Sequence, residues 1–223
     1  MDLTTPARAV IPTLDAEVLM VLAAIMVPIS GRQVAKMVKT GSTAGVSLVL
    51  ERLNSQGVIN LVETGSSNLY SINREHVAYS AIEALADLRG KLYARMTAEI
   101  ETWEIFPVSV AVFGSAARGD GGIDSDIDIL IVRPEELYPN HLENSETEQN
   151  EGEEAYWDLW AAQLSEFGTK VRRWSGNTAS LIQATQSQLV AMVERNEPIV
   201  ASLQTDARYI WGPKIMKTLM DQK

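Results

Sequence analysis

The segment VSVAVFGSAARGDGGIDSDIDILIV, residues 108–132, most constrains what this chain can fold into. VSVAVF is a short, β-branched apolar run cut off by Gly114 and Ser115, as a buried strand ending in a tight turn would be. DIDILIV at 126–132 then gives a second strand. Side chains alternate along a strand, so Asp126 and Asp128 share one face while Ile127, Ile129 and Ile131 enter the opposite layer. Two carboxylates on one spot repel unless a cation, a proton or a basic side chain compensates them. The chain has no cysteine and its only histidines are His76 and His141, so a compensating metal has to be held by oxygen, which suits magnesium or manganese. Gly114 lets backbone approach a ligand closely, Ser115 offers a hydroxyl, and exposed amides in such a turn form an anion-binding nest. Arg118 either grips a phosphate with two parallel bonds or ties the turn to a carboxylate. Phosphate beside two metal-binding acids is the layout of phosphoryl or nucleotidyl transfer.

With 223 residues, 46% of them hydrophobic, the chain is long enough for two modest cores. Its most apolar early run, VLMVLAAIMVPI at 18–29, is too short to span a bilayer, and Asp15 and Glu17 stand where a signal peptide carries positive charge. A cytoplasmic protein with no membrane partner is expected. The net charge of −10 argues against a generally basic nucleic-acid sleeve, but the charge is uneven. Residues 135–158 carry Glu135, Glu136, Glu143, Glu146, Glu148, Glu151, Glu153, Glu154 and Asp158 with no lysine or arginine, which reads as a solvated loop entering a helix. Residues 31–56 are the reverse, setting Arg32, Lys36, Lys39 and Arg52 against Glu51.

Leu14, Val18, Val21, Leu22 and Ile25 recur at helical spacing behind Thr13. Ser30 with Gln33 has the spacing of a capping box, and opens a short helix that ends near Lys39. Val46, Val49, Leu50 and Leu53 line a third helix from about Ser42 to Ser55, stopped by Gly57. VINLVE and NLYSIN, parted by TGSS, read as a hairpin. GRQVAKMVKTGSTAGVSLVLERLNSQGVINLVETGSSNLYSIN resembles the winged helix-turn-helix of bacterial transcription regulators, and the resemblance covers residues 1–75. It implies that the third helix enters a major groove of double-stranded DNA with Thr43 and Ser47 near base edges. Arg32, Lys36, Lys39, Arg52 and the wing around Ser66 to Asn68 complete the DNA-facing set. A protein-interaction or dimerisation module is the alternative use of the same fold. Residues 76–103 lack proline through Thr102 and keep Val77, Ala81, Ala84, Leu88, Leu92 and Met96 on one stripe, predicting one connecting helix. Whether it packs on either domain or on its copy in a homodimer stays open.

GSAARGDGGIDSDIDILIV resembles the signature of the DNA polymerase beta-like nucleotidyltransferases, particularly their minimal bacterial form, over roughly residues 104–212. For the domain at 104–223 the resemblance implies an α/β (α+β) fold, a mixed sheet with flanking helices. It also implies a nucleoside triphosphate held at Gly114, Ser115, Arg118, Gly119 and Ser125, and magnesium or manganese on catalytic Asp126 and Asp128. The family places a third carboxylate on a following strand, here TASLIQA, near Ser180, yet no acid occurs between Glu166 and Glu194. Either the domain binds nucleotide without turning it over, or Asp124, Glu154 or Asp158 reaches the site from elsewhere.

A helix is expected at about 151–167, with Trp157, Trp160, Leu164 and Phe167 in the core. Arg172, Arg173 and Trp174 are read as helix-end or structural residues, and Asn177 as a turn residue. DARYIWGP is read as the end of a helical region followed by a short tail, and Thr185 with Gln188 as a capping box. The expected function is a metal-dependent transfer of a nucleoside monophosphate to an acceptor by a chain that also carries a DNA-binding module. The alternative is a transcription regulator or antitoxin-like protein whose transferase-like domain senses nucleotide.

Overall fold

A computed structural model describes residues 1–65, 67–135 and 146–220, with the side chains of 146–152 and 220 left aside. Ser66 of the expected wing, His141, Glu136 and Glu143 lie outside the described residues, as do the side chains of Glu146, Glu148 and Glu151. The residues divide into two compact units, one of Asp2 and Thr4–Lys91, the other of Met1, Leu3 and Leu92–Lys223.

In the first unit, α1 (Leu14–Ala24), α2 (Gly31–Met37) and α3 (Thr43–Ser55) precede a hairpin of β2 (Ile59–Thr64) and β3 (Ser67–Ile72). Ser30 and Gln33 make the expected capping box on α2, and Ser42 accepts the Gly45 amide at the head of α3, whereas Thr13, the expected cap of α1, makes no side-chain bond to that helix's amides. Gly57 follows α3 at φ +74°, a conformation that costs a glycine nothing. The two-residue strand β1 (Ile29–Ser30) was not expected; it adds to β3 and completes a three-stranded antiparallel sheet ordered β1-β3-β2. Val18, Leu22, Val34, Leu50, Ile59 and Ile72 fill the core beneath. Glu17 is only 4% exposed, and its carboxylate accepts the Lys39 and Thr40 amides and the Thr40 hydroxyl. It thereby fixes the turn between α2 and α3, beyond any role at the head of α1.

The single helix expected over 76–103 is two, α4 (Tyr79–Ala86) and α5 (Leu88–Ile100). Asp87 is the reason. Its carboxylate lies against Gly90, while its carbonyl accepts the Lys91 amide, so it caps the second helix and interrupts the first. Val77, expected on the buried stripe, precedes α4 and is 93% exposed.

The second unit is built on a four-stranded mixed sheet ordered β6-β5-β4-β7, from β4 (Ser109–Phe113), β5 (Ile127–Val132), β6 (Ala179–Ala184) and β7 (Arg208–Trp211). β4 pairs antiparallel with β5 and β7, and β5 runs parallel to β6. Parallel pairing needs a crossover, supplied by α7 (Glu146–Ser175), a helix that runs past the expected end at 167 and takes Arg172 and Arg173 into its last turn. Ile127, Ile129 and Ile131 pack with Trp160, Leu164 and Phe167 of α7 on one face. Trp103 meets Trp160 and Phe167 edge-on at centroid distances of 5.8 and 5.6 Å. Trp157 departs from the expected stripe: it is 40% exposed and lies under the Arg133 guanidinium, 5.0 Å from its ring centroid.

The other face carries Phe113, Leu130 and Val132, covered by α8 (Gln186–Glu194), α9 (Pro198–Thr205) and α10 (Ile215–Met220). α8 opens on the expected capping box of Thr185 and Gln188. RYIW, expected to end a helical region, is instead the edge strand β7, and the expected tail holds α10. The architecture is mixed α/β with flanking helices. No helix among the described residues is long and apolar enough to cross a membrane.

Candidate active site

Strand β4 delivers the chain to Gly114, where φ turns to +66° and α6 (Gly114–Arg118) begins. The adjacent strand brings Asp128 directly opposite Phe113. A Cβ built on Gly114 would stand 2.7 Å from Asp128 Oδ2, so the carboxylate occupies the space a side chain would take. Glycine is required here by both backbone conformation and close approach.

The two aspartates fall as the alternation dictates. Asp126 is exposed just ahead of β5, and Asp128 is partly buried on the face opposite Ile127 and Ile129. Burial first, then the nearby Asp126 charge, pushes the Asp128 carboxyl above its ordinary value; the Ser180 hydroxyl and Arg118 pull against that shift. Ser180 is the residue paired with Asp128 across the parallel ladder. The position expected to bear the third acid is therefore beside Asp128, and it holds a hydroxyl in place of a carboxylate.

Asp124, Glu154 and Asp158 do not make up the difference. Among the described residues, no group of three or more acidic, histidine or cysteine side chains is arranged to hold a metal. Two carboxylate oxygens still suit a magnesium ion that keeps waters and shares phosphate oxygens with its substrate, rather than one caged wholly by protein.

Of the other expected site residues, Ser115 sits in the turn with its carbonyl accepting the Gly119 and Asp120 amides at 2.9 and 3.1 Å. Gly119 closes α6 in the left-handed conformation at φ +77°. Ser125 is absorbed by its own loop, its Oγ accepting the Gly122 amide at 2.9 Å. Arg118 takes the second option open to it: Nε donates to Asp120 Oδ2 at 3.0 Å and Nη1 to Asp206 Oδ2 at 2.5 Å.

Two residues escaped the sequence reading. Asn177, expected only in a turn, is 2% exposed, and its Nδ2 donates to the Ile123 and Ser125 carbonyls at 3.1 and 3.0 Å. It clamps the loop that presents Asp126. Asp206 was hidden because its approach to Arg118 depends on β7 pairing with β4, which no local pattern announced.

The expected DNA-facing residues belong to the other unit. Arg32, Lys36, Lys39 and Thr43 are exposed, and Ser47 is exposed with its hydroxyl turned back to the Thr43 carbonyl at 3.1 Å. Arg52 is taken by an ion pair with Asp15. A cleft of about 760 Å³ runs between the head of α2, at Arg32 and Gln33, and the hairpin residues Thr64 and Asn68.

No curated protein and no solved structure matches the chain. Residues 99–181, the stretch from the end of α5 through β4, α6, β5 and α7 into β6, match the nucleotidyltransferase domain family, which supports transfer of a nucleoside monophosphate from a nucleoside triphosphate as the general chemistry of this unit.

Proposed function

We propose that the chain is a cytoplasmic nucleotidyltransferase that uses magnesium or manganese, with a triphosphate seated against the Gly114–Ser115 turn. The packing of Asp128 on Gly114, with Asp126 one strand repeat away, carries this reading. Asp126 and Asp128 would hold the metal, which when bound offsets charge on the phosphates and on the attacking oxygen. Gly114 brings backbone within reach of phosphate, Ser115 supplies a hydroxyl, and Arg118 adds a fixed cation. Asn177 keeps the loop before Asp126 in place. Incubation with an α-labelled triphosphate and candidate acceptors should move label, and Asp126→Asn together with Asp128→Asn should abolish it. Absence of transfer from the unmodified chain with every acceptor class would overturn the reading.

The Ser180 hydroxyl beside Asp128 favours a second reading, in which the unit binds nucleotide as a signal and performs no transfer. A missing acid removes one of the charges on which an electrostatically driven reaction depends. The N-terminal unit supports either reading as a winged helix on double-stranded DNA: its order of helices and hairpin fits, and Arg32, Lys36, Lys39 and Thr43 are exposed to meet it. Under the second reading, triphosphate changes operator affinity in a gel shift and no product appears.

A further inference from the structure

Arg118 and Asp206 are 88 residues apart, and strand pairing brings them together. Asp206 caps α9, β7 begins two residues later, and Arg208 stands opposite Val112 near the end of β4. The carboxylate thus arrives where the Gly114–Ser115 turn starts. Its side chain is 14% exposed, against 56% for Asp120, the other acid on Arg118. It is itself oriented by the Ser202 hydroxyl, 3.1 Å from the same Oδ2 that accepts Arg118 Nη1. A shielded, pre-oriented partner holds an arginine far better than an exposed neighbour, whose pair is weakened by water and salt.

With Nε and Nη1 engaged, Nη2 is the edge that makes neither contact. An arginine clamped in this way gives up little further side-chain freedom when it meets a phosphate oxygen, and its planar fork fixes the direction of approach. It also carries a hazard, because Arg118 is close enough to act on Asp128 electrostatically. A loose guanidinium would settle on the Asp126–Asp128 pair and compete with a metal there.

We infer that Asp206 is a positioning residue for nucleotide binding: by holding Arg118 through Nη1 it presents Nη2 to a triphosphate oxygen and keeps the guanidinium off Asp126 and Asp128. This rests on the reading of residues 114–128 as a triphosphate site. Asp206 acts through Arg118, so its effect disappears when Arg118 is gone.

Calorimetric titration of ATP with excess magnesium into the full chain tests it. Asp206→Asn is expected to weaken binding about tenfold, Asp206→Glu to recover most of that loss, and Arg118→Ala to cost at least as much. The double variant is expected to bind as Arg118→Ala alone does. Manganese alone should bind less well to Asp206→Asn, and Arg118→Ala should restore it. Ser202→Ala, which removes only the orienting hydroxyl, gives a smaller loss in the same direction and serves if Asp206→Asn does not fold. Binding by Asp206→Asn equal to or tighter than the unmodified chain overturns the inference, as does a full further loss in the Arg118→Ala background. An unmodified chain that binds no triphosphate removes the nucleotide reading itself, and this inference with it.

Discussion

Ser180 is paired with Asp128 across the parallel strands and its hydroxyl pulls that carboxyl's value down, so a single substitution there addresses the chemistry of the pair. Ser180→Asp should complete a three-acid cluster and tighten manganese binding roughly tenfold, read by electron paramagnetic resonance, since an added carboxylate raises the charge count around the cation. Without metal the same variant should melt lower, because a third like charge joins the face. The existing repulsion has its own signature. A carboxyl raised in the fold, as Asp128 is, contributes stability that is full below its unfolded value of 3.8 and is lost as pH rises through the raised value. Asp126→Asn removes the second cause of that rise. It should melt higher than the unmodified chain at pH 7, with the gap closing below about pH 4. An equal gap at both pH values would contradict the electrostatic account.

At the scale of elements, the β4–α6 turn and the loop before β5 hold the site in shape. Gly114→Ala places a side chain at φ +66° and against Asp128, and should cost about 1 to 2 kcal/mol for the backbone alone. Chemical denaturation would read that loss, and triphosphate binding should fall with it. Asn177→Ala leaves the Ile123 and Ser125 carbonyls without their donor inside the protein, and should cost about 1 to 3 kcal/mol. Hydrogen exchange in residues 121–126 should accelerate in that variant. These elements differ in how much of them the sequence disclosed. The capping boxes at Ser30 and Thr185, the hairpin and the alternation through Asp126 and Asp128 are local patterns, and each formed. β1, β7 and the clamp by Asn177 depend on partners distant in the chain, so short-range periodicity carried no sign of them. RYIW in particular has a strand only because β4 offers an edge. Asp87 broke an apolar stripe that looked continuous, because its side chain and carbonyl served a new helix start.

Over the whole molecule, a net charge of −10 coexists with exposed cations on α2 and acids gathered around the candidate site. An acidic protein meets duplex DNA only through such a local patch, and the patch should show in salt dependence. Lys36→Ala should weaken DNA binding at all sequences alike and lower the slope of log affinity against log salt by about one, measured by gel shift over a salt series. The proposed nucleotide site would make the opposite demand, since acids alone repel a triphosphate and a divalent cation would have to join them. The most direct test of the account is therefore triphosphate binding at constant ionic strength, with and without magnesium, in the unmodified chain and in Asp126→Asn with Asp128→Asn. Binding that requires magnesium and is lost in the double variant is the predicted result. Binding that is indifferent to magnesium, or unchanged when both aspartates are neutralised, would contradict it.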